Sequence, residues 1–310
     1  YGASEFIRSD LNTFPKELEP NIKVQWSLQR LHEELWKLYV DLYIFSYEYP
    51  DKKIYLLDEN SIGHGLRELI EGSLGIKFSY AMLSSRFYES LILAAYSAVL
   101  FFKSFFRAFG FGVRNLPKGS IAVEFVDPAI ASGSATHPNF LLSEFINKND
   151  IVRYCSADQS FAFDKNPDHR KGTLFLDQLT LSFKEATAIT SYAFTVAISA
   201  LFGGRAIRHY FKEIAVYRHH ILLCSMFRRS RMKAHLFNTF PNGRTNNKNI
   251  SACVTSACRK YGVRSYSYQT RFQYINDGWY YFETFDTYFV WGDSWVESLK
   301  MTNYIDKYDV

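Results

Sequence analysis

Apolar and polar positions alternate in blocks that read most plainly in the last third of the chain. Ala234-His-Leu-Phe-Asn-Thr-Phe240 predicts a buried strand, and Pro241-Asn-Gly-Arg-Thr-Asn-Asn247 a polar turn. Ile250 to Tyr261 predicts a helix closed by Gly262, and Val263 to Gln269 the next strand. A helix between two short apolar strands is the unit of a parallel sheet, whose ligands sit at the carboxyl ends of the strands. Tyr274 to Phe282 places Asn276-Asp-Gly278 between aromatic runs, a hairpin signal. A further strand and turn follow over Phe285 to Trp295.

The earlier chain is less regular. Residues 1–20 are polar and carry Pro15 and Pro20, whereas Val24 to Tyr47 repeats apolar positions at helical spacing through Trp26, Leu28, Leu31, Leu35, Leu38, Leu42 and Phe45. Lys53 to Leu57 predicts a short strand, Asp58 to Gly65 a loop and Leu66 to Leu74 a helix. Gly119 to Val126 predicts a strand, Asp127 to His137 a loop of small residues, and Ile151 to Cys155 another strand. Leu91 to Phe102 is a run of twelve uncharged residues, short of the about 20 that span a bilayer. Ala186 to Gly204 is uncharged but interrupted by Thr and Ser. Both runs suit either buried core helices or a protein lying on a membrane through Phe, Lys and Arg. The expected organisation is a helical extension over 1–50 and an α/β domain over 51–310, a Rossmann-like parallel sheet flanked by helices.

Composition supports a packed core: hydrophobic residues make up 47% and charged residues 22%, so disorder is not expected. Aromatics reach 18%, with 28 Phe and 22 Tyr. Two accounts stand, a core and surface simply rich in rings, or rings that meet lipid headgroups or sugars. The net charge of +5 suits an anionic small ligand or membrane surface and is too diffuse to argue for nucleic acid. Basic residues gather at Arg205, Arg208, Lys212, Arg218 and Arg228-Arg-Ser-Arg-Met-Lys233, a run read first as a solvated face. Cys155, Cys224, Cys253 and Cys258 have no metal-ligand spacing and read as buried free thiols of a reducing compartment. A chain that opens at Tyr1 with no cleavable signal is expected to be a fragment.

Several chemistries find no motif. There is no Gly-x-Ser-x-Gly elbow, Walker loop, His-Glu-x-x-His or kinase signature. His219 and His220 are adjacent, so on a helix their rings diverge by about 100° and share a metal poorly. Ser61-x-Gly63-x-Gly65 matches a dinucleotide fingerprint poorly, although such a loop offers N–H groups to an anion as readily as it makes a plain turn. The remaining candidates sit at predicted strand ends: Asn60 and His64 after the first strand, Glu124 and Asp127 in and after the second. Arg244 and Asn246 follow Phe240, and Gln269 and Arg271 close the next strand. Group transfer needs a carboxylate or imidazole to take the acceptor proton, and donors for a departing phosphate.

Four segments carry a resemblance: Ile121-Ala-Val-Glu-Phe-Val-Asp127, Phe237-Asn-Thr-Phe-Pro-Asn-Gly-Arg-Thr245, Tyr266-Ser-Tyr-Gln-Thr-Arg271 and Asp286-Thr-Tyr-Phe-Val-Trp-Gly-Asp-Ser-Trp295. They resemble bacterial surface-carbohydrate (capsule or lipopolysaccharide) glycosyltransferases of the GT-B type, loosely similar to the CDP-glycerol glycerophosphotransferases. In that family a segment like Asp-x-Tyr-Phe-x-Trp-Gly closes the N-terminal half. The chain departs in having Tyr268-Gln-Thr-Arg271 where the family has Gln-His-Gly.

The resemblance implies a two-lobed enzyme of surface polysaccharide biosynthesis. Such an enzyme moves a sugar from a nucleotide donor to a carbohydrate or lipid-linked acceptor, without a cofactor or metal. The lobe seen here would be the N-terminal one, and the donor-binding lobe is expected to be absent or truncated at Val310. On that reading His64, Glu124 or Asp127 is the general base. Asn60, Ser61, Gly63, Arg244, Asn246, Gln269 and Arg271 line the cleft, and the protein works in the cytoplasm with peripheral contact at the inner face of the cell membrane. Two alternatives stay open: a non-catalytic module that binds membrane or a partner, and an RNA binder using Arg228 to Lys233 and surface tyrosines.

Overall fold

The computed structural model describes residues 20, 23–24, 42–50, 54–56, 71–72, 78–80, 86–124, 147–155, 173–202, 207–237, 251–268, 284–301 and 303–310. The chain divides into two compact units. The first comprises Tyr1–Phe102 and Ile189–Ile214, the second Lys103–Ala188 and Ala215–Val310. All of the division points fall within helices: α1 (Arg86–Ala108), α2 (Phe183–Phe202) and α3 (Ile207–Arg229).

In the first unit, β1 (Ile54–Leu56) pairs in parallel with β2 (Phe78–Tyr80), Ile54 opposite Phe78 and Leu56 opposite Tyr80. The Tyr192 hydroxyl on α2 donates to Oε1 of Glu213 on α3 at 2.8 Å, and both residues are buried. Tyr96 of α1 meets Phe211 edge to face at 5.0 Å. Of the helix expected over 24–47, Val24 and residues 42–47 are described, and they are helical.

The second unit is an α/β fold. Its strands are β3 (Ile121–Glu124), β4 (Ile151–Cys155), β5 (Thr173–Phe175) and β6 (Ala234–Phe237), then β7 (Arg264–Tyr268), β8 (Thr284–Phe289) and β9 (Tyr304–Asp309). They form one seven-stranded sheet in the order β5-β4-β3-β6-β7-β8-β9, with parallel pairing at every step. Counting from β3, this is the strand order of a doubly wound Rossmann-type sheet with one strand added at the far edge. Parallel sheets are covered on both faces, so their central strands are apolar throughout. On one face of β3 and β4, Val123, Cys155 and Phe175 pack with Ile121, Ile151 and Leu236. The opposite face carries Ala122, Val152, Tyr154 and His235, all buried.

Helix α4 (Ser251–Lys260) follows β6, and Ser251 to Cys258 are all buried. Small hydroxyls allow that close approach. The Thr284 N–H donates to Ser251 Oγ at 3.0 Å, and Thr255 Oγ1 donates to the Thr284 carbonyl at 2.6 Å. The helix ends as expected at Gly262, whose φ of 67° lets Val263 N–H return to the Cys258 carbonyl at 2.9 Å and Gly262 N–H to Arg259 at 3.2 Å. All four cysteines are buried and free, as read from their spacing.

Two stretches run further than the sequence pattern suggests. After β8 the chain forms α5 (Asp293–Lys300) and then the edge strand β9, where only a strand and a turn were expected. The twelve-residue uncharged run lies inside the 23 residues of α1, because Lys103 and Arg107 continue the helix. Residues Phe87–Ala108 are long and apolar enough to cross a membrane, by length and composition, with mean hydropathy 1.5. The helix is buried along one side. Its buried seam is Ser90, Leu93, Ser97, Leu100, Ser104 and Arg107, while Phe101, Phe102 and Phe106 are exposed. The hairpin expected around Asn276 lies outside the described residues.

Candidate functional site

The order of the sheet reverses between β3 and β6. The chain builds outward through β4 and β5, returns through α2 and α3, and lays β6 on the other side of β3. In open α/β sheets such a reversal of strand order marks where ligands bind, outside the carboxyl ends of the two strands. Glu124 is the last residue of β3 and stands at that point, 2% exposed.

Register places three polar side chains on its face of the sheet. Glu124 is opposite Tyr154 on β4, and Ala122, two residues earlier on the same face, is opposite His235 on β6. Ala122 has only a methyl to offer, so the Tyr154 ring reaches across β3 and its hydroxyl lies 2.6 Å from His235 Nε2. Phe227 of α3 closes over the imidazole edge to face, with ring centres 6.0 Å apart.

Burial sets the charge states. Desolvation, then the charge of His219, pushes the His235 pKa down to about 3, so its imidazole is neutral at pH 7. Desolvation, and next the Glu124 carboxylate, raises the Tyr154 phenol well above its ordinary value. The phenol therefore keeps its proton and donates to Nε2, which leaves the imidazole proton on Nδ1. His219 is likewise lowered to about 3, first by desolvation and then by His220 and Arg218. His220 Nδ1 lies 3.1 Å from the Cys253 carbonyl and joins α3 to α4, and His219 beside it is buried as well. Burial also raises the thiols, Cys224 to about 12 and Cys253 and Cys258 well above their ordinary value, so they remain protonated.

Of the site residues expected from sequence, Glu124 is described, buried at the carboxyl end of β3. His64, Asp127, Asn60, Ser61, Gly63, Arg244, Asn246, Gln269 and Arg271 lie outside the described residues. Tyr154 and His235 were not anticipated. A histidine at the centre of an apolar strand was the available signal, since such a group needs a hydrogen-bond partner when buried. Among the described residues no group of three or more His, Cys, Asp or Glu side chains is arranged to hold a metal ion.

The basic run at 228–233 is only partly a solvated face. Arg228, Arg231 and Lys233 are exposed, but Arg229 turns inward. It donates to the carbonyls of Thr180 at 2.8 Å and Val113 at 3.1 Å, and also to that of Arg114. Asp286, the first residue of the Asp-x-Tyr-Phe-x-Trp-Gly segment, also has a local role. Its carboxylate takes Arg259 Nε at 2.9 Å and both the N–H and hydroxyl of Ser265, at 2.7 and 2.9 Å. Arg259 Nη2 extends the link to Asp306 on β9 at 2.8 Å.

No protein-family model, curated protein or solved structure matches the chain.

Proposed function

We propose that the second unit is the acceptor-side lobe of a GT-B-type glycosyltransferase that works in surface polysaccharide biosynthesis. The observation that supports this reading most is the reversal of strand order between β3 and β6, with a carboxylate, Glu124, at the end of β3. In this proposal an acceptor hydroxyl of a carbohydrate or lipid-linked sugar reaches these strand ends and attacks the anomeric carbon of a nucleotide sugar. The new C–O bond forms as the bond to the nucleoside diphosphate breaks, and the hydroxyl proton passes to Glu124. Tyr154 and His235 act as a neutral, hydrogen-bonded wall that fixes β4 and β6 on either side of the base. His64 and Asp127 remain the other candidate bases.

The test is titration of a panel of nucleotide sugars and CDP-glycerol against the chain, followed by transfer assays on the chain and on Glu124→Gln. Saturable binding, with turnover lost in the variant, supports the reading. If the folded chain binds none of the panel, the donor reading fails. The exposed aromatic face of α1 favours a second reading, a non-catalytic membrane-associated module. It would be favoured by vesicle binding without any nucleotide-sugar binding.

A further inference from the structure

The second unit has an open cavity of about 340 Å³ with no residue of β3 or β6 in its lining, which includes Phe109, Gly110, Arg114, Ser182, Arg228 and Arg229. Arg114 and Arg228 are exposed there. Arg228 Nη2 is 3.3 Å from Glu185, but that carboxylate is largely engaged elsewhere. Its Oε2 accepts from the Ser182 N–H at 2.7 Å and from the Ser182 hydroxyl at 2.9 Å. Among the described residues three arginines and no acidic residue line the cavity, and the one carboxylate that reaches Arg228 is already held by a helix cap, so the cavity has a net positive charge.

Beside this cavity stand phenylalanines with no reason to be wet. Phe106, Phe109, Phe111 and Phe183 are each 52–68% exposed. They are not scattered: Phe106 stacks on Phe111 with centres 4.1 Å apart, and Phe109 meets Phe183 edge to face at 5.3 Å. Gly110 makes this grouping. Its φ of 100° reverses the chain after α1, and a Cβ there would collide with the Arg114 guanidinium. Lys103 and Lys184, on the same two helices, are exposed as well. Clustered rings next to cations at a helix end are the composition of a surface that enters the headgroup layer of a membrane. A protein partner would need its own acidic and apolar patch, whereas an anionic bilayer supplies both complements at once.

We propose that this face docks on an anionic phospholipid bilayer, with a lipid phosphate held between Arg114 and Arg228 and the four rings at the level of the acyl boundary. The proposal is independent of the glycosyltransferase reading, because it uses neither Glu124 nor the carboxyl ends of β3 and β6.

The test is flotation of the whole chain with vesicles of phosphatidylcholine alone and of phosphatidylcholine with phosphatidylglycerol. Binding is expected to the anionic vesicles and to weaken with salt. Each basic residue near such a surface strengthens binding about fivefold, so Arg114→Ala/Arg228→Ala should weaken it roughly 25-fold. Phe106→Ser/Phe109→Ser should abolish it. These side chains are exposed, and an unchanged thermal melt shows that the variants fold. As a second readout, Phe109→Trp should be quenched by lipids brominated on the upper acyl chain. Absent flotation, flotation indifferent to both double variants, or a dimer that Phe106→Ser/Phe109→Ser dissociates with no vesicle binding would overturn the proposal.

Discussion

The Tyr154 hydroxyl on β4 lies 2.6 Å from Nε2 of His235 on β6, reaching across the strand between them. Both residues are fully buried, so each supplies the other's polar partner where water does not reach. Tyr154→Phe removes the donor and leaves Nε2 in the core without it. The expected cost is about 1–3 kcal/mol, the usual penalty for stranding a buried polar atom. Urea unfolding at pH 7.5 reads this directly. A loss below about 0.5 kcal/mol would mean that the bond contributes little beyond what the ring itself packs.

The same burial makes the fold sensitive to acid. His219 and His235 have pKa values near 3 in the folded chain against 6.5 when unfolded, with desolvation the main cause in both. Below pH 6.5 the unfolded chain therefore binds protons that the folded chain refuses, and stability falls with falling pH. Their contribution is complete above about pH 6.5 and is lost progressively as pH drops towards 3. Urea midpoints measured from pH 7.5 to 4.5 should decline, with a slope that His219→Gln/His235→Gln makes shallower by up to about two protons. An unchanged slope in the double variant would assign the acid sensitivity to other groups.

Asp286 gathers Arg259, the Ser265 N–H and the Ser265 hydroxyl at one partly buried point between β7 and β8. Asp286→Asn keeps the shape but removes the charge and mismatches a donor against donors. A cost of about 2–3 kcal/mol is expected, as for removing one member of a largely desolvated pair. Asp306 touches the same arginine with its side chain 53% exposed. Asp306→Asn should therefore cost under about 1 kcal/mol. Equal losses in the two variants would show that the Arg259 network, rather than the Ser265 bonds, carries the effect.

Physical pattern explains which parts were legible in advance. The β6–α4–β7 unit was readable because its strands are short and apolar and Gly262 supplies the left-handed cap. Edge strand β9 was not, because Tyr304-Ile-Asp-Lys-Tyr-Asp309 carries charges suited to an unpaired edge and no apolar run. The full length of α1 was hidden by Lys103 and Arg107, charges that end an apolar run without ending a helix. Arg107 is in fact buried and satisfied by carbonyls. Glu124 was legible as a carboxylate closing a buried strand, whereas its neighbours on the same face were not. Tyr154 and His235 are 81 residues apart and meet only because the crossover through α2 and α3 lays β6 beside β3.

Arg107 tests how much that buried cation holds. Its Nε donates to the Leu179 carbonyl at 2.7 Å and its Nη2 to the Leu176 carbonyl at 2.9 Å. Desolvation, followed by Arg218, lowers its pKa to about 10, so it is still charged at neutral pH. Both carbonyls belong to the segment that leads from β5 into α2. Arg107→Lys places one ammonium where a planar fork satisfied two acceptors 3 residues apart, and cannot restore both bonds. Arg107→Lys and Arg107→Met should both lose about 2–4 kcal/mol. Hydrogen exchange should speed up first at Leu179 and at the amides of the first turn of α2. Full recovery by lysine would mean that charge alone, and not the fork, fixes this segment.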